Sequence, residues 1–407
     1  MLTLSPTPDI QLLVPPDEDE RPPKVSIVIP ALDEEVTISE FVSWCHDGLA
    51  KAEIPGEILI VDSGRDRTTE LALAGGARVL RTPKRGLGRA YIDALPHIRG
   101  DWVVMGDADC TYDFRDLTDF VAKFEAGYEF VMGSRWKGSI EEGAMPWLHQ
   151  KLGTPVTTKI LNLLFRSKFS DIHCGMRGIT RDALQRMDLR SQSWEYASEM
   201  VIKSVHMGLR TAEVPVHFLK DKDGRTSHHV RAGWFSPWQA AWLNLRAMVV
   251  HGADTFTFVP GLALASVGLL LTLPLTFGPR QLGGVTFSLY WMLLGLTLSV
   301  VGVQSFYLGC IARMLYDHGG RVRERWTRAF AFTRTVLASA ALAVAGTVLV
   351  APLVREYLTN GLRLPDTGVA SHHMAITGIL ALIVAFSTFS QTLLVHATAL
   401  HTRRVDG

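Results

Sequence analysis

The 407-residue sequence is poor in cysteine, and its few cysteines are far apart. Cys45, Cys110, Cys174 and Cys310 form no C-x-x-C pair. This spacing gives no support to a disulfide framework or a zinc knuckle, and it favours a cytosolic location for the part of the chain outside any membrane.

The sequence also has no large net charge of either sign. The sequence has 41 basic and 40 acidic residues, and its formal net charge is +1. Binding to nucleic acid or to an acidic partner is therefore not indicated by the overall charge, and only local charge patterns are informative.

The first residues lack a secretory signal, which would need a basic start and a continuous apolar core. Residues 1–24 instead carry several prolines around the acidic stretch "DEDE". We expect a disordered tail there, because such a composition buries little apolar surface.

Short apolar runs alternate with amphipathic stretches from residue 25 to about residue 230. The runs that resemble buried strands are "VSIVIP", "EILIVDSG", "ARVLRTP", "DWVVMGDAD" and "YEFVMGSR". This alternation predicts an α/β domain over residues 25–230 with a mostly parallel sheet. Ligands of such sheets bind beyond the carboxyl ends of the strands, so the residues after each run are candidates for a site.

Four later stretches contain no Asp, Glu, Lys or Arg, and they span residues 256–277, 287–310, 336–354 and 374–395. Each is long enough to cross a hydrocarbon core of ~30 Å as a helix, which needs about 20 residues. A hydrophobic content of 47% and a mean hydropathy of +0.16 agree with a membrane component. We therefore predict a four-helix transmembrane domain over residues 256–407.

The loops between these stretches differ in charge. The connection from the second to the third stretch carries Arg313, Arg321, Arg323, Arg325, Arg328 and Arg334, and the C-terminal tail adds Arg403 and Arg404. The other two loops have only Arg280, or Arg355 and Arg363. The positive-inside rule predicts that the basic loop, the C-terminus and the N-terminal domain lie in the cytoplasm at the plasma membrane.

Two amphipathic stretches are candidates for the membrane interface. In residues 233–250, one helical face carries Trp234, Trp238, Trp242, Leu245 and Val249. We predict an interfacial helix over residues 231–255, and a core-packing stripe is the alternative. The second candidate is residues 144–168, where Pro155 interrupts an apolar repeat of four residues that lies among lysines.

The stretch "VVMGDADCTYD" places three carboxylates, Asp107, Asp109 and Asp113, directly after a predicted strand. Two aspartates separated by one residue are common in solvated loops, but here they follow a buried run. Hard cations such as Mg²⁺ take one or two carboxylates together with substrate phosphates. The pattern therefore favours a divalent metal at Asp107 and Asp109 that holds a diphosphate.

Two further carboxylates end predicted strands. Asp62 in "LIVDSG" is suited to accept hydrogen bonds from a base or ribose, or it caps the next helix. Glu34 in "VIPALDEE" has the same two interpretations, because acidic residues are common in the first turn of a helix.

In combination these motifs resemble a known family. "VSIVIPALDEE", "LIVDSGRDRT", "RGLGRAYIDAL", "DADCTYD", "GSRWKGSIEEGAMP", "SDIHCGMRG" and "EYASEMVIKS" follow the order found in inverting family 2 glycosyltransferases of the dolichol-phosphate mannose synthase type. The resemblance covers roughly residues 24 to 255. It implies a GT-A fold, a nucleoside-diphosphate sugar as donor, a lipid phosphate as acceptor, and Mg²⁺ or Mn²⁺ as cofactor.

The resemblance also implies a donor-binding set: Pro30, Leu32, Glu34, Asp62, Asp107, Ala108, Arg135, Arg225 and Arg231. In this set Asp62 contacts the nucleoside, and the D-A-D motif touches the ribose and the metal. Arg135, Arg225 and Arg231 lie near the donor phosphates. Some relatives have a metal-contacting glutamine where this chain has Thr111, which leaves the third metal ligand open.

The acceptor needs no general base in this scheme, because a phosphate monoester has a second pKa near 6 and is largely ionised at neutral pH. Arg177, with Arg225 or Arg231, is the predicted partner of that phosphate, since guanidinium groups bind phosphate bidentately. Asp171 and Glu199 either orient these arginines or form structural salt bridges. The predicted catalytic set is Asp109, Arg177, Asp171 and Glu199.

The sequence thus predicts inverting transfer of a hexose to polyprenyl phosphate at the cytoplasmic membrane face. UDP-glucose or GDP-mannose is the expected donor, with UDP-glucose slightly favoured. The relatives make a homotetramer a reasonable assembly, although the oligomeric state stays open. The alternatives are a hydroxyl acceptor, which the missing Q-x-x-R-W motif disfavours, and a non-catalytic lipid-handling protein.

Overall fold

The computed structural model describes residues 10–16, 21–165, 167–222, 252–315, 321–364 and 370–405, together with residues 242, 245, 246, 249 and 317. The chain divides into two compact units, residues 1–251 and 252–407. The predicted boundary between residues 230 and 231 falls outside the described residues and stays a prediction.

The first unit is built around an eight-stranded sheet flanked by helices. Its strands are β1 (Gln11–Leu13), β2 (Val25–Ala31), β3 (Gly56–Asp62), β4 (Arg78–Arg81), β5 (Trp102–Met105), β6 (Phe130–Ile140), β7 (Arg177–Thr180) and β8 (Thr211–Phe218). Its helices are α1 (Ile38–Lys51), α2 (Thr68–Ala74), α3 (Leu87–Ala94), α4 (Thr118–Glu125), α5 (Thr154–Phe165), α6 (Arg181–Met187) and α7 (Tyr196–His206), with a π-helical turn at His149–Gly153.

The strand order is β1-β4-β3-β2-β5-β7-β6-β8. Strands β2 to β5 are parallel to one another, and β6 pairs in parallel with β8. The short β7 runs antiparallel to both β5 and β6. All five predicted strands are present, which confirms the mostly parallel α/β sheet.

Two apolar clusters cover the two faces of the sheet. Alternate residues of β2 divide between them, since Ile27 and Ile29 belong to one cluster and Val28 to the other. Both faces are buried because helices pack on each side. This explains why the central strands are continuous apolar runs.

Strand β1 corrects one expectation about the N-terminus. Residues 11–13 lie in the expected disordered tail, yet they pair antiparallel with β4, from Gln11 opposite Arg81 to Leu13 opposite Val79. The pairing covers the edge of the sheet, where β4 would otherwise leave unpaired backbone groups.

The second unit consists of helices α8 (Ala253–Thr272), α9 (Leu289–Leu315), α10 (Arg321–Ala329), α11 (Phe332–Thr359) and α12 (Ala370–Val405), with a small hairpin of β9 (Arg280–Leu282) and β10 (Val285–Phe287). Four of these helices are long and apolar enough to cross a membrane. They coincide with the four predicted spans.

Glycines allow α8 and α9 to pack closely. A Cβ atom at Gly302 would lie 2.1 Å from the backbone nitrogen of Ala265, and one at Gly268 would lie 2.4 Å from that of Ser299. Such contacts are too short for any side chain, so these glycines set the distance between the two helices.

Of the predicted interfacial helix, residues 242, 245, 246, 249 and 252–255 are described; the first four are helical, and residues 253–255 belong to α8. Trp242, Leu245 and Val249 are exposed, with 63%, 41% and 42% of their surface accessible. Arg246, which lies off the stripe, is exposed as well, and the interfacial interpretation stays a prediction. The first two tryptophans of the stripe lie outside the described residues.

Candidate active site

The candidate site is at the carboxyl ends of β2, β3 and β5. These three strands are neighbours and run in parallel, so their ends meet at one edge of the sheet. The chain after β2 is tied to the chain after β3, because the Asp33 carboxylate accepts a hydrogen bond from the Arg65 backbone N–H at 2.7 Å. Asp33 adopts a left-handed conformation with φ 54°.

The residues predicted at the end of β2 are all located at this edge. Pro30 lies opposite Val61 of β3, and Leu32 follows the strand. Glu34 is buried, and its N–H donates to Thr68 Oγ1 at 2.8 Å. The Glu34 carbonyl accepts from the N–H of Ile38 at the start of α1. Their contacts with a nucleotide stay predictions.

Asp62 at the end of β3 is fully buried. Its Oδ1 accepts from the Gly64 N–H at 2.7 Å, and its Oδ2 accepts from Thr69 Oγ1 at 2.5 Å and from Arg81 Nη1 at 2.6 Å. These bonds hold the turn that follows β3. They do not cap α2, because none of them joins Asp62 to a backbone N–H of that helix, whose N-cap residue is Arg67. The contact of Asp62 with a nucleoside is a prediction.

The D-A-D motif follows β5 in a tight turn, where Cys110 has φ 58°. Ala108 belongs to the apolar core. Asp109 is buried, and its Oδ1 accepts from Thr111 N–H at 3.0 Å and Thr111 Oγ1 at 2.6 Å. Asp107 is half-buried and lies against Gly175, since a Cβ atom there would be 2.4 Å from Asp107 Oδ2.

The third acidic residue of the stretch has a separate partner. Asp113 forms two hydrogen bonds with the Arg115 side chain, at 2.8 and 2.7 Å. Burial raises the pKa of the Asp113 carboxyl, but the bonds from Arg115 outweigh it and lower that pKa below its ordinary value. Asp113 is thus neutralised locally, which leaves Asp107 and Asp109 as the metal candidates.

The donor set fits a hard divalent cation. Among the described residues no group of three or more His, Cys, Asp or Glu is placed to hold a metal. Two carboxylates one residue apart are what a Mg²⁺ or Mn²⁺ ion uses when substrate phosphates and water supply its other ligands. Asp107 and Asp109 would hold such an ion.

Arg135 is committed to a buried ion pair. Its Nε and Nη2 atoms donate to the two oxygens of Asp171 at 2.6 and 2.8 Å, and both side chains are buried. Burial lowers the pKa of Arg135, but Tyr112 and Asp171 outweigh it and raise that pKa above its ordinary value. Asp171 therefore orients Arg135 and not Arg177. The donor contact of Arg135 stays a prediction.

Arg177 is 1% exposed and is the largest fully buried side chain of the described residues. It donates to the carbonyls of Ala197, at 3.1 Å, and of Cys174, and its guanidinium lies 5.5 Å from the ring of Tyr196. These bonds fix the connection before β7 to α7. Pairing of Arg177 with the acceptor phosphate is a prediction that requires this side chain to become accessible.

Glu199 organises a different loop. Its carboxylate accepts from the N–H groups of Arg190 and Ser191, and it pairs with Lys203 at 2.6 Å. The loop in turn packs on α3, where the Arg89 N–H donates to the Gln192 carbonyl. These contacts are those of a structural salt bridge, the alternative given for Glu199. Arg225 and Arg231 lie outside the described residues.

Sequence reasoning missed a cationic cavity. It has a volume of about 470 Å³ and is lined by Trp136, Gln150, Lys151, Pro155, Thr158, Lys159, Asn162 and Ser170. The lysines of the second amphipathic stretch were visible in the sequence. The other residues that line the cavity, Trp136 of β6 and Ser170 before β7, are not adjacent to that stretch in sequence.

The same segment exposes apolar side chains. Trp147 is 70% and Leu163 80% exposed, and Leu148, Leu152, Val156 and Ile160 are exposed as well. Large exposed apolar surfaces mark contacts with proteins or membranes.

Comparison with known proteins identifies related sequences. The model described as glycosyl transferase family 2 matches residues 26–188, and that of the glycosyltransferase family 2 C-terminal transmembrane region matches residues 310–399. The chain is 31% identical over 386 residues to the low-salt glycan biosynthesis hexosyltransferase Agl6 of Haloferax volcanii, covering 93% of this chain and 91% of that protein.

Two further similarities are more partial. The chain is 30% identical over 179 residues to a dolichyl-phosphate hexose transferase of Haloferax volcanii, covering 44% of this chain and 75% of that protein. The solved structure of mannosyl-3-phosphoglycerate synthase from Rubrobacter xylanophilus has a TM-score of 0.44 and 21% identity, covering 56% of this chain and 73% of that one.

Proposed function

Because the chain belongs to glycosyltransferase family 2, with a catalytic domain of the predicted GT-A fold and a membrane-spanning C-terminal region, we propose that it transfers a hexose to polyprenyl phosphate. The donor is a nucleoside-diphosphate sugar, UDP-glucose or GDP-mannose, and the transfer inverts the anomeric configuration. The similarity to a dolichyl-phosphate hexose transferase supports this acceptor.

One structural observation carries the choice of acceptor. The segment around α5 combines a cavity lined by Lys151 and Lys159 with exposed apolar side chains such as Trp147 and Leu163. A lipid phosphate has the matching chemistry, because its head is anionic and its tail is apolar. We assign the cavity to the acceptor headgroup and the exposed apolar residues to the membrane interface.

The proposed reaction relies on positioning. The lysines bind an acceptor phosphate that is already ionised at neutral pH, so one of its oxygens attacks the anomeric carbon without a general base. Asp107 and Asp109 hold the divalent ion, which when bound stabilises the negative charge of the departing nucleoside diphosphate. The buried ion pair of Arg135 and Asp171 ties β6 to the segment before β7.

The charge of the membrane loops supports a cytoplasmic site. Helix α10, Arg321–Ala329, connects the second and third spanning helices, and none of its residues is fully buried. By the positive-inside rule, its arginines support a cytoplasmic position of this loop at the plasma membrane.

The test uses membranes that contain the expressed full-length protein. Radiolabelled UDP-glucose and GDP-mannose are each supplied with a polyprenyl phosphate or with the matching polyprenol. We expect labelled lipid only with the phosphate and with a divalent metal, and none from Asp109→Asn. Transfer to the polyprenol, or full activity of Asp109→Asn, would contradict the proposal.

Substitution of the cavity lysines tests the acceptor assignment. Lys151→Gln with Lys159→Gln should raise the KM for polyprenyl phosphate by about 10- to 100-fold, the value of hydrogen bonds to charged groups. The donor KM should change little. Lys51→Gln with Lys123→Gln is the matched control, because neither residue lines the cavity.

A further inference from the structure

Strand β5 ends at Met105, and the segment before β7 lies beside the residues that follow β5. Met105 pairs with Arg177 in the register of the sheet. Asp107 is two residues after Met105 and Gly175 is two residues before Arg177, so an extension of this register places Asp107 opposite Gly175. The candidate metal ligand therefore faces a glycine in "HCGMRG", a motif far from it in sequence.

Gly175 is required here for its size and not for its conformation, because its φ angle lies outside the left-handed region. A Cβ atom at this position would lie 2.4 Å from Asp107 Oδ2 and 2.9 Å from the Tyr112 ring. Both distances are far below an ordinary contact. Any side chain at this position would therefore push the Asp107 carboxylate away.

The glycine is also held in place. Its N–H donates to Tyr112 Oη at 2.8 Å, and Tyr112 is buried against Phe218, with ring centroids 5.0 Å apart. The preceding carbonyl of Cys174 accepts a hydrogen bond from Arg177. The backbone beside Asp107 thus has fixed neighbours on both sides and cannot move aside to make room.

From this geometry we infer that Gly175, held by Tyr112, is a positioning residue that sets where the Asp107 carboxylate stands when it binds the divalent cation. The inference rests on the metal role of Asp107 in the proposed function. Neither Gly175 nor Tyr112 has a carboxylate, so both residues affect metal affinity only through the position of Asp107.

The test measures metal binding directly. The full-length protein in detergent is titrated with Mn²⁺ in the presence of UDP or GDP, and free Mn²⁺ is followed by electron paramagnetic resonance. Gly175→Ala should weaken Mn²⁺ binding by about 10- to 100-fold, the usual effect of changing groups that orient metal ligands. Tyr112→Phe removes only the hydrogen-bond acceptor and should weaken binding less, in the same direction.

Gly178→Ala is the matched control from the same segment. A Cβ atom at Gly178 would lie 2.7 Å from the Phe124 ring and away from the D-A-D turn. This variant should lower the melting temperature and leave the affinity for Mn²⁺ unchanged. Equal losses of affinity in Gly175→Ala and Gly178→Ala would show a merely structural effect and overturn the inference.

Two other results separate the inference from the proposed function. If the wild-type protein binds Mn²⁺ and Gly175→Ala binds it equally well, the inference is wrong while the metal role stands. If the wild-type protein neither binds Mn²⁺ nor loses activity with EDTA, the metal role is wrong and the inference falls with it.

Discussion

Asp171→Asn should destabilise the catalytic domain strongly, because it breaks a buried ion pair from one side. The pair has two short hydrogen bonds, and the exposed fractions of Arg135 and Asp171 are 7% and 0%. Asparagine leaves the arginine charge buried without its counter-charge. Removing one partner of a buried pair costs about 3–5 kcal/mol.

For a domain of this size, that loss corresponds to a melting temperature lower by about 6–20 °C, at roughly 2–4 °C per kcal/mol. The assay is thermal unfolding of the full chain in detergent, with tryptophan fluorescence as the signal. The double variant Arg135→Gln with Asp171→Asn removes both charges and should recover part of the loss. A change below about 2 °C for Asp171→Asn would refute the ion-pair reasoning.

Two further predictions concern stability. Burial raises the pKa of the Glu199 carboxyl, but Lys203 and the Ser191 N–H outweigh it and hold that pKa below its ordinary value. The stabilisation by the ionised Glu199 is therefore present above about pH 4.3, the ordinary pKa of glutamate, and is lost as the pH falls below that value. Between about pH 7 and 3.5, the melting temperature of Glu199→Gln should therefore fall less than that of the wild-type protein. Gly302→Leu should cost about 1–3 kcal/mol by forcing α8 and α9 apart, whereas Val301→Leu, on an exposed face of α9, should leave the melting temperature unchanged.

The strands that are buried on both faces could be predicted from the sequence, because such strands consist of nearly continuous apolar residues. β2, β3 and β5 follow this rule. β7 was not predicted, since "RGIT" has only one large apolar residue and its direction depends on partners distant in sequence. β1 was missed because an edge strand needs apolar residues on only one side.

The positions of the acidic site residues were predictable, but the partners of the basic ones were not. Asp62 is the last residue of β3 and Asp107 follows β5, in agreement with the rule for parallel sheets. The sequence motifs identify Arg135 and Arg177 as candidates, but they do not show in which direction the two side chains point. Asp171 turned out to be the partner of Arg135, which only the pairing of β6 with β7 could decide.

The burial of these two arginines has a consequence for the donor site. A nucleoside diphosphate brings negative charge to a strand edge where Asp107 and Asp109 already lie. Among the described residues, Arg135 and Arg177 are turned inward, towards Asp171 and towards main-chain carbonyls. They cannot meet the diphosphate without breaking those bonds. Among the described residues, the proposed divalent ion therefore balances the charge of the diphosphate, and Arg135 and Arg177 do not. Removal of Mg²⁺ or Mn²⁺ with EDTA should abolish transfer.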